Sequence, residues 1–490
     1  MISTSKNCFT FFILNMLVIC VIGISSCDDE LFTTDPKSTL EFSTDTLTFD
    51  TVFTTIGSTT SKILVYNRNN RALNISSIGL AGGEASAFRI NVDGSINKNN
   101  QFENIEISAH DSMYIFVEIT IDPANSSSPV LIEESLVFLT NGVKQDIKLQ
   151  AFGQDMEILR NKYILNDTTL NSDKPYLVYG YLAVDTAKTL TLNPGCKLYF
   201  HNNANLIVYG NLKALGTAEK PISMRGDRLD KIQFDTPFPY NNVSGQWGGI
   251  FLQGNKGNHI FRHVNMNSGY VGIYLPNKDR NTLPTMEISN CRIHNFLLYG
   301  LVVENGNVTV TNTEISNASS YCVYLNGGKH IFIHSTIANY FNNSNVQPAS
   351  RDKEPAVLIM DLNRIAPMET VFQNCIVTGS QENEFSLATR YQDQYKGTFD
   401  HSYIRKSKAL ESPQFSDIRW YAKNDTVFKS TYYDYKEKTY FNFTPDSVSP
   451  ARGIADPAIT VKYHLEYDLN GNKRGTKPDA GAYEWEPTKE

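Results

Sequence analysis

No CxxC pair occurs among the seven cysteines of this 490-residue chain, so neither a zinc site nor a disulfide framework is signalled. Beyond the first two dozen residues, no apolar run is long enough to span a membrane as a helix. No Gly-x-x-x-x-Gly-Lys-(Ser/Thr) segment follows a strand pattern, which excludes a phosphate loop. Basic residues are in the minority, 44 Lys and Arg against 51 Asp and Glu, for a net charge of −7. That balance disfavours nucleic acid or an anionic surface as a partner held by bulk charge. Nor do the acids pair as a hydrolase requires. The one Asp-Asp dipeptide is Asp28-Asp29, near the start of the chain.

The chain begins with Lys6, an apolar core from Cys8 to Ile24 interrupted only by Asn15, and then Ser25-Ser26-Cys27. A basic start, a short apolar core and small residues describe an export signal. The core falls short of the roughly 20 apolar residues of a spanning helix. Small residues directly before a cysteine resemble a bacterial lipobox. The resemblance implies lipid on Cys27 and removal of residues 1–26, with residues 27–38 as a tether. A cleaved signal with an incidental cysteine is the alternative. Asp28, Asp29 and Glu30 resemble the surface-export signal of Bacteroidota lipoproteins. Seven Asp-(Ser/Thr)-(small or aliphatic) triplets, among them Asp45-Thr46-Leu47 and Asp446-Ser447-Val448, resemble the O-glycosylation acceptor of the same phylum. These resemblances imply an outer-membrane protein facing the cell exterior and touching the membrane only through its lipid. Cys196, Cys291, Cys322 and Cys375 then remain as free thiols.

From residue 39 to residue 155, short segments with apolar residues at period two alternate with turn residues. Strands at that spacing predict a β-sandwich. The order Phe88-Arg89-Ile90, then Val117-Glu118-Ile119-Thr120-Ile121-Asp122-Pro123, then a strand closing from Leu149 to Gly153, resembles the immunoglobulin-like modules of bacterial surface proteins. Such modules are spacers or docking surfaces.

A different rhythm begins near Leu190. LTLNPGCKLYFHNNANLIVYGNLKALGTAEKPISMRG reads as strand, Pro-Gly turn, strand and V-x-G-x-L-x-A-x-G-T. It resembles the right-handed parallel β-helix of pectin-lyase-like proteins, in which each coil stacks on the one before. The expected architecture is therefore all-β: a sandwich, a single-stranded right-handed parallel β-helix over 156–410, and a C-terminal cap over 411–490. FRHVNM, ISNCRI, VTNTEI, FIHSTI, FQNCIV and FDHSYI align as recurring rungs. Their polar corner residues are His263, Asn290, Asn312, His334, Asn374 and His401, spaced 27, 22, 22, 40 and 27 apart. One coil takes about 22 residues, and the step of 40 carries a loop or a hidden extra coil. The column reads as a ladder of side chains hydrogen-bonded along the stack. Cys291 and Cys375 follow the ladder residue in two rungs, so they read as small buried hydrophobes rather than nucleophiles.

Proteins of this fold include lyases and hydrolases as well as adhesins, so the fold leaves function open. Glu287, Glu304 and Glu314 share no column, and no catalytic residue, metal site or cofactor is expected. Two stretches offer binding chemistry. The first is the loop with Arg351, Asp352, Lys353 and Glu354, together with Asp361 and Arg364, which either rims a groove or is a solvated loop. The second holds Tyr391, Tyr395, Trp420, Tyr421, Tyr432, Tyr433, Tyr435, Tyr440 and Phe441. Aromatic faces beside acids and amides suit sugar rings, and the same rings suit a cover over the open end of the stack. The tail carries Asp468, Gly471, Arg474, Pro478, Asp479, Gly481, Tyr483 and Glu484, and resembles the closing segment of secreted bacterial β-helix proteins. Asp468 to Gly471 is expected to form an Asn-Gly turn, and Arg474 to pair with Asp479 or Glu484. Three functions remain: non-catalytic binding or adhesion to a host, plant or microbial polysaccharide; cleavage of such a polymer; and a structural role with a protein partner.

Overall fold

The computed structural model describes residues 32–487 except 233–237, 280, 342–349, 362–366, 391–394 and 433–440. The described chain divides into two compact units, one ending at Gln154 and the other running from Asp155 onward. The first holds two five-stranded sheets. One contains Ser61–Tyr66, Ser112–Ile119 and Phe88–Val92; the other contains Val143–Gln154, Val130–Thr140 and Leu73–Leu80. Pairing is antiparallel except where Val143–Gln154 runs parallel to Thr46–Phe53. Ser112–Ile119 alternates strictly between exposed and buried positions, and its inward Ile115 and Val117 share a core with Leu136, Phe138, Ile147 and Leu149 of the other sheet.

The second unit is a stack of coils whose strands run from Glu157 to Trp420. Each coil supplies three strands. Asn258–Arg262, Val264–Asn267 and Val271–Pro276 make one coil, and Thr285–Ser289, Arg292–Phe296 and Tyr299–Glu304 make the next. Every strand pairs in parallel with its equivalent one coil on. We call the three faces, in chain order, the first, second and third. Inside, equivalent residues stack on themselves. Phe332, Phe372, Phe399 and Phe415 form one column, with Phe332 and Phe372 rings 4.4 Å apart and 11° from parallel. Such in-register columns lock the register, because a slip of one residue would turn every inward side chain outward.

The corner between the first and second faces carries the polar ladder. His263, Asn290, Asn312, His334, Asn374 and His401 all have positive φ, between 44° and 56°. The left-handed conformation is costly for most side chains and is entered readily by Asn, Asp and His. The column is therefore selected by backbone first, and side-chain hydrogen bonding comes second. Asn312 Nδ2 donates to Asn290 Oδ1 at 2.7 Å, whereas His263 extends no such bond among the described residues. Asp417, φ 50°, is one further member at the last coil. A second corner, between the second and third faces, repeats the device with Ser268, Asn295 and Asn317 at φ 53–62°. The step of 40 residues between His334 and Asn374 hides no extra coil. Gly328–Ile333 pairs directly with Met368–Gln373, and Thr336–Asn339 with Ile376–Gly379, so the surplus is loop.

The tail does not cap the end of the stack. Phe415 and Trp420 complete the last coil, and the described residues beyond it turn back over the second face. There Val427, Phe428, Phe443, Ala480, Ala482 and Tyr483 pack on Ala338, Ile376 and Tyr403. The ladder receives this cover. Asn374 Nδ2 donates to Asp456 O at 2.9 Å, His334 Nε2 meets Thr460 Oγ1 at 2.8 Å, and Arg474 Nη2 donates to Asn312 Oδ1 at 2.9 Å. Arg474 also pairs with Glu484 at 3.3 Å, both largely buried. Asp468 Oδ1 accepts from the amides of Asn470 and Asn472, and Gly471 has φ 86°, so this segment is the expected turn.

Two interior histidines, His259 and His330, are fully buried on the first face. Burial holds His259 down to about 4 and His330 to about 3, from an ordinary value of 6.5. Both are neutral when folded, and both bind a proton when unfolded below pH 6.5. Stability is therefore full above pH 6.5 and falls as pH drops toward 4, by up to about 3 kcal/mol for each histidine. Denaturant midpoints measured from pH 7 to pH 4 should fall across this window, and a His259→Leu chain should lose less than the native one.

Candidate functional site

The third face is where the coils present their largest exposed rings. Gly272 and Gly300 begin its strands because nothing larger fits: a Cβ on Gly272 would lie 2.2 Å from Gly300 O, and one on Gly300 2.6 Å from Cys322 O. This close approach places Tyr270, Tyr299 and Tyr321, each next to such a turn, beside one another on three consecutive coils. Tyr299 and Tyr321 stack with centroids 5.9 Å apart and planes 15° from parallel. Tyr324 sits 5.9 Å from Tyr321, and Tyr274 packs edge-on to Phe251 at 6.1 Å. Tyr270 is 45% exposed and the other four tyrosines are half-buried, so one side of each ring is held by the scaffold.

Carboxylates rim these rings. Tyr274 Oη donates to Glu304 at 3.5 Å. Burial, and then the hydrogen-bonded Glu354 carboxylate, push the Tyr321 phenol above its ordinary value. Asp352 adds its charge near both Tyr299 and Tyr321. Both acids belong to the loop singled out in the sequence, and its arginine explains their position. Arg351 does not rim a groove: its side chain is 5% exposed and forms a two-pronged pair with Glu384, itself fully buried, at 2.5 and 2.9 Å. Glu384 also accepts from Ala356 N at 2.9 Å and Gln381 N at 2.6 Å. Asp352 N meanwhile bonds Ser319 O at 2.8 Å. The arginine is a pin that seats the loop, and Asp352 and Glu354 are what the loop delivers to the surface.

The remaining expected residues disperse. Lys353 is exposed in the same loop. Asp361 is buried and accepts a hydrogen bond from Arg390 N, so it faces no groove. Trp420 packs on Phe415 at 5.5 Å at the end of the stack, and Tyr421 lies under the Arg405 guanidinium at 4.2 Å. Tyr395 is buried in the coil, Phe441 packs on Phe443, and Tyr432 is exposed alone. Cys27, Arg364, Tyr391, Tyr433, Tyr435 and Tyr440 lie outside the described residues. The tyrosine group itself was readable as a recurrence: GYVGIY, LYGLVV and SYCVYL are the same segment in three coils.

Chemistry beyond binding has little support in the side chains present. Burial pushes the Cys291 and Cys375 thiols up to about 12, and each lies within 3.4 Å of backbone carbonyls, so neither is a thiolate nucleophile. Glu287, Glu304 and Glu314 lie on the first, third and second faces respectively, so they share no cleft of one face. Asp400, His401 and Asp417 approach one another on the last coils closely enough to share an ion.

The Arg351–Glu384 pair predicts an asymmetric mutational response. Glu384→Ala strands a buried guanidinium and should cost about 3–5 kcal/mol. Replacing both partners with apolar residues, Arg351→Met with Glu384→Leu, should recover most of it. Denaturant unfolding of the three chains measures this; a loss under about 1 kcal/mol for Glu384→Ala would remove the pin from the explanation.

Comparison with known proteins agrees on the scaffold. Protein bark beetle of Drosophila melanogaster is 30% identical over 135 residues, which is 26% of this chain and 4% of that protein's length. The VesB protease of Vibrio cholerae overlaps 23% of this chain and 31% of its own, at 13% identity and a TM-score of 0.17. A family 123 glycoside hydrolase from Clostridium perfringens overlaps 24% and 25%, at 12% identity and the same TM-score. Neither likeness bears on fold or activity at that score. The family described as "Right handed beta helix region" matches residues 236–409, and with the parallel three-faced stack it makes the body of this chain a right-handed β-helix.

Proposed function

We propose that this protein is a non-catalytic glycan-binding protein, and that the tyrosine group of the third face is its binding platform. The observation that carries the reading is the Tyr299–Tyr321 stack with Tyr270, Tyr274 and Tyr324 around it and Glu304, Asp352 and Glu354 at its rim. Rings fixed on a rigid stack lose little freedom on binding, and the apolar face of a sugar covers them while its hydroxyls reach the acids. A platform repeated along coils suits a polymer rather than a single sugar, because neighbouring units meet equivalent rings. The rim is acidic and its arginine is turned inward, which favours neutral chains over anionic ones. The signal-like start and Cys27 support anchorage at the outer membrane by lipid, facing outward. The antiparallel sheets of the first unit support a spacer with an immunoglobulin-like arrangement.

Native electrophoresis of the chain through gels of plant, host and microbial polysaccharides, each stained afterwards for remaining polymer, tests this reading. Retardation with intact polymer is expected. Tyr299→Ala with Tyr321→Ala should weaken it roughly tenfold or more, the scale of two lost ring contacts, while Trp420→Ala leaves it unchanged. Cleared polymer behind the band would make the protein an enzyme instead.

A further inference from the structure

A second site lies on the opposite side of the tail from the third face. Where the tail passes the earlier coils it stands off the ladder and leaves a cavity of about 540 Å³. Its floor is formed by the two ladder residues left uncovered, His263 and Asn290, with Arg292 beside them; its far wall is the tail, from His464 to Gly471. The volume is that of a small-molecule pocket.

The hydrogen-bonding groups of this cavity are unbalanced in one direction. Arg292 Nη2 donates to Asn470 Oδ1 at 2.7 Å and Nε donates to Tyr483 Oη at 3.3 Å, which fixes the guanidinium and leaves Nη1 without a protein acceptor among the described residues. Asn290 spends its oxygen on Asn312 at 2.7 Å, and Asn470 spends its oxygen on Arg292, so each presents an amide N–H₂. Asp468 is the one carboxylate of the lining. It is occupied: Oδ1 accepts from Asn470 N and Asn472 N, and Oδ2 from Glu484 N, at 2.7–2.9 Å. The other charges acting on His263 are Glu219 and Arg262, of opposite sign, besides Arg292 itself. What remains open is a set of donors: a fixed guanidinium, two amides and the rings of His263 and His464. In a chain of net charge −7 this is a local reversal.

We infer that this cavity binds a small ligand through an oxyanion, a carboxylate, sulfate or phosphate, with Arg292 as the fixed fork and Asn290 and Asn470 as flanking donors. The site is independent of the tyrosine platform and lies on a different face. Calorimetric titration of the purified chain with glucuronate, glucose 6-sulfate, glucose 6-phosphate and glucose tests it and identifies the anion. Saturable binding of at least one of the three anions, and none of glucose, is expected. Asn290→Asp and His464→Asp each place a negative charge in the lining at a left-handed position, φ 53° and 55°, that Asp adopts without strain. Each should weaken binding roughly tenfold or more with the thermal midpoint little changed. Tyr299→Ala should bind the anion as the native chain does, which separates this site from the platform. No saturable heat from any of the three anions, equal binding of glucose, or indifference to both substitutions would overturn the inference.

Discussion

The structure depends on the corner at which each coil turns from its first face to its second. Parallel strands at successive levels can stay in register only if every coil turns at the same place, and that turn requires a left-handed residue. Asn, His and Asp supply it at His263, Asn290, Asn312, His334, Asn374, His401 and Asp417. With the turn fixed, Phe332, Phe372, Phe399 and Phe415 fall one above another, and so do the buried cysteines beside the ladder. The same constraint explains the tail. A column of polar side chains at a corner is a row of hydrogen-bonding groups, and Asp456, Thr460 and Arg474 use three of its members to lie along the stack.

The three faces acquire different roles from this one geometry. The second is covered by the tail and gains a second apolar core around Tyr403 and Phe443. The third has glycines where coils approach most closely, and those glycines bring tyrosines of neighbouring coils into stacking distance. A buried ion pair then holds an acidic loop against them. Surface chemistry on a β-helix is thus written in columns: a residue acts with its equivalents one coil away, about 22 residues distant in sequence, more than with its chain neighbours.

Much of the scaffold was legible from that periodicity. The rungs, the ladder residues and the burial of Cys291 and Cys375 all follow from aligning six short segments. The reason for the ladder was less accessible, because Asn and His serve both side-chain ladders and left-handed turns, and only the φ angles separate the two. Asp417 was missed because the last coil is short, placing it 16 residues after His401. The tail was read as an end cap because its aromatic content says that something is covered but not which surface. Arg351 illustrates the same limit. A charged cluster in a long loop looks solvated until its partner, Glu384, is found 33 residues away. Tyr270, Tyr299 and Tyr321 were visible as equivalent positions, but they drew less notice than the denser aromatic run after Tyr391.

Hydrogen exchange with and without a polysaccharide that retards the chain tests the central claim most directly. Binding on the tyrosine platform should slow exchange in 269–275, 298–304, 319–326 and 351–354, and leave the sandwich and the last coil unchanged. Protection confined to the first unit, or to the segment after Trp420, would place glycan recognition elsewhere and contradict the reading of the third face.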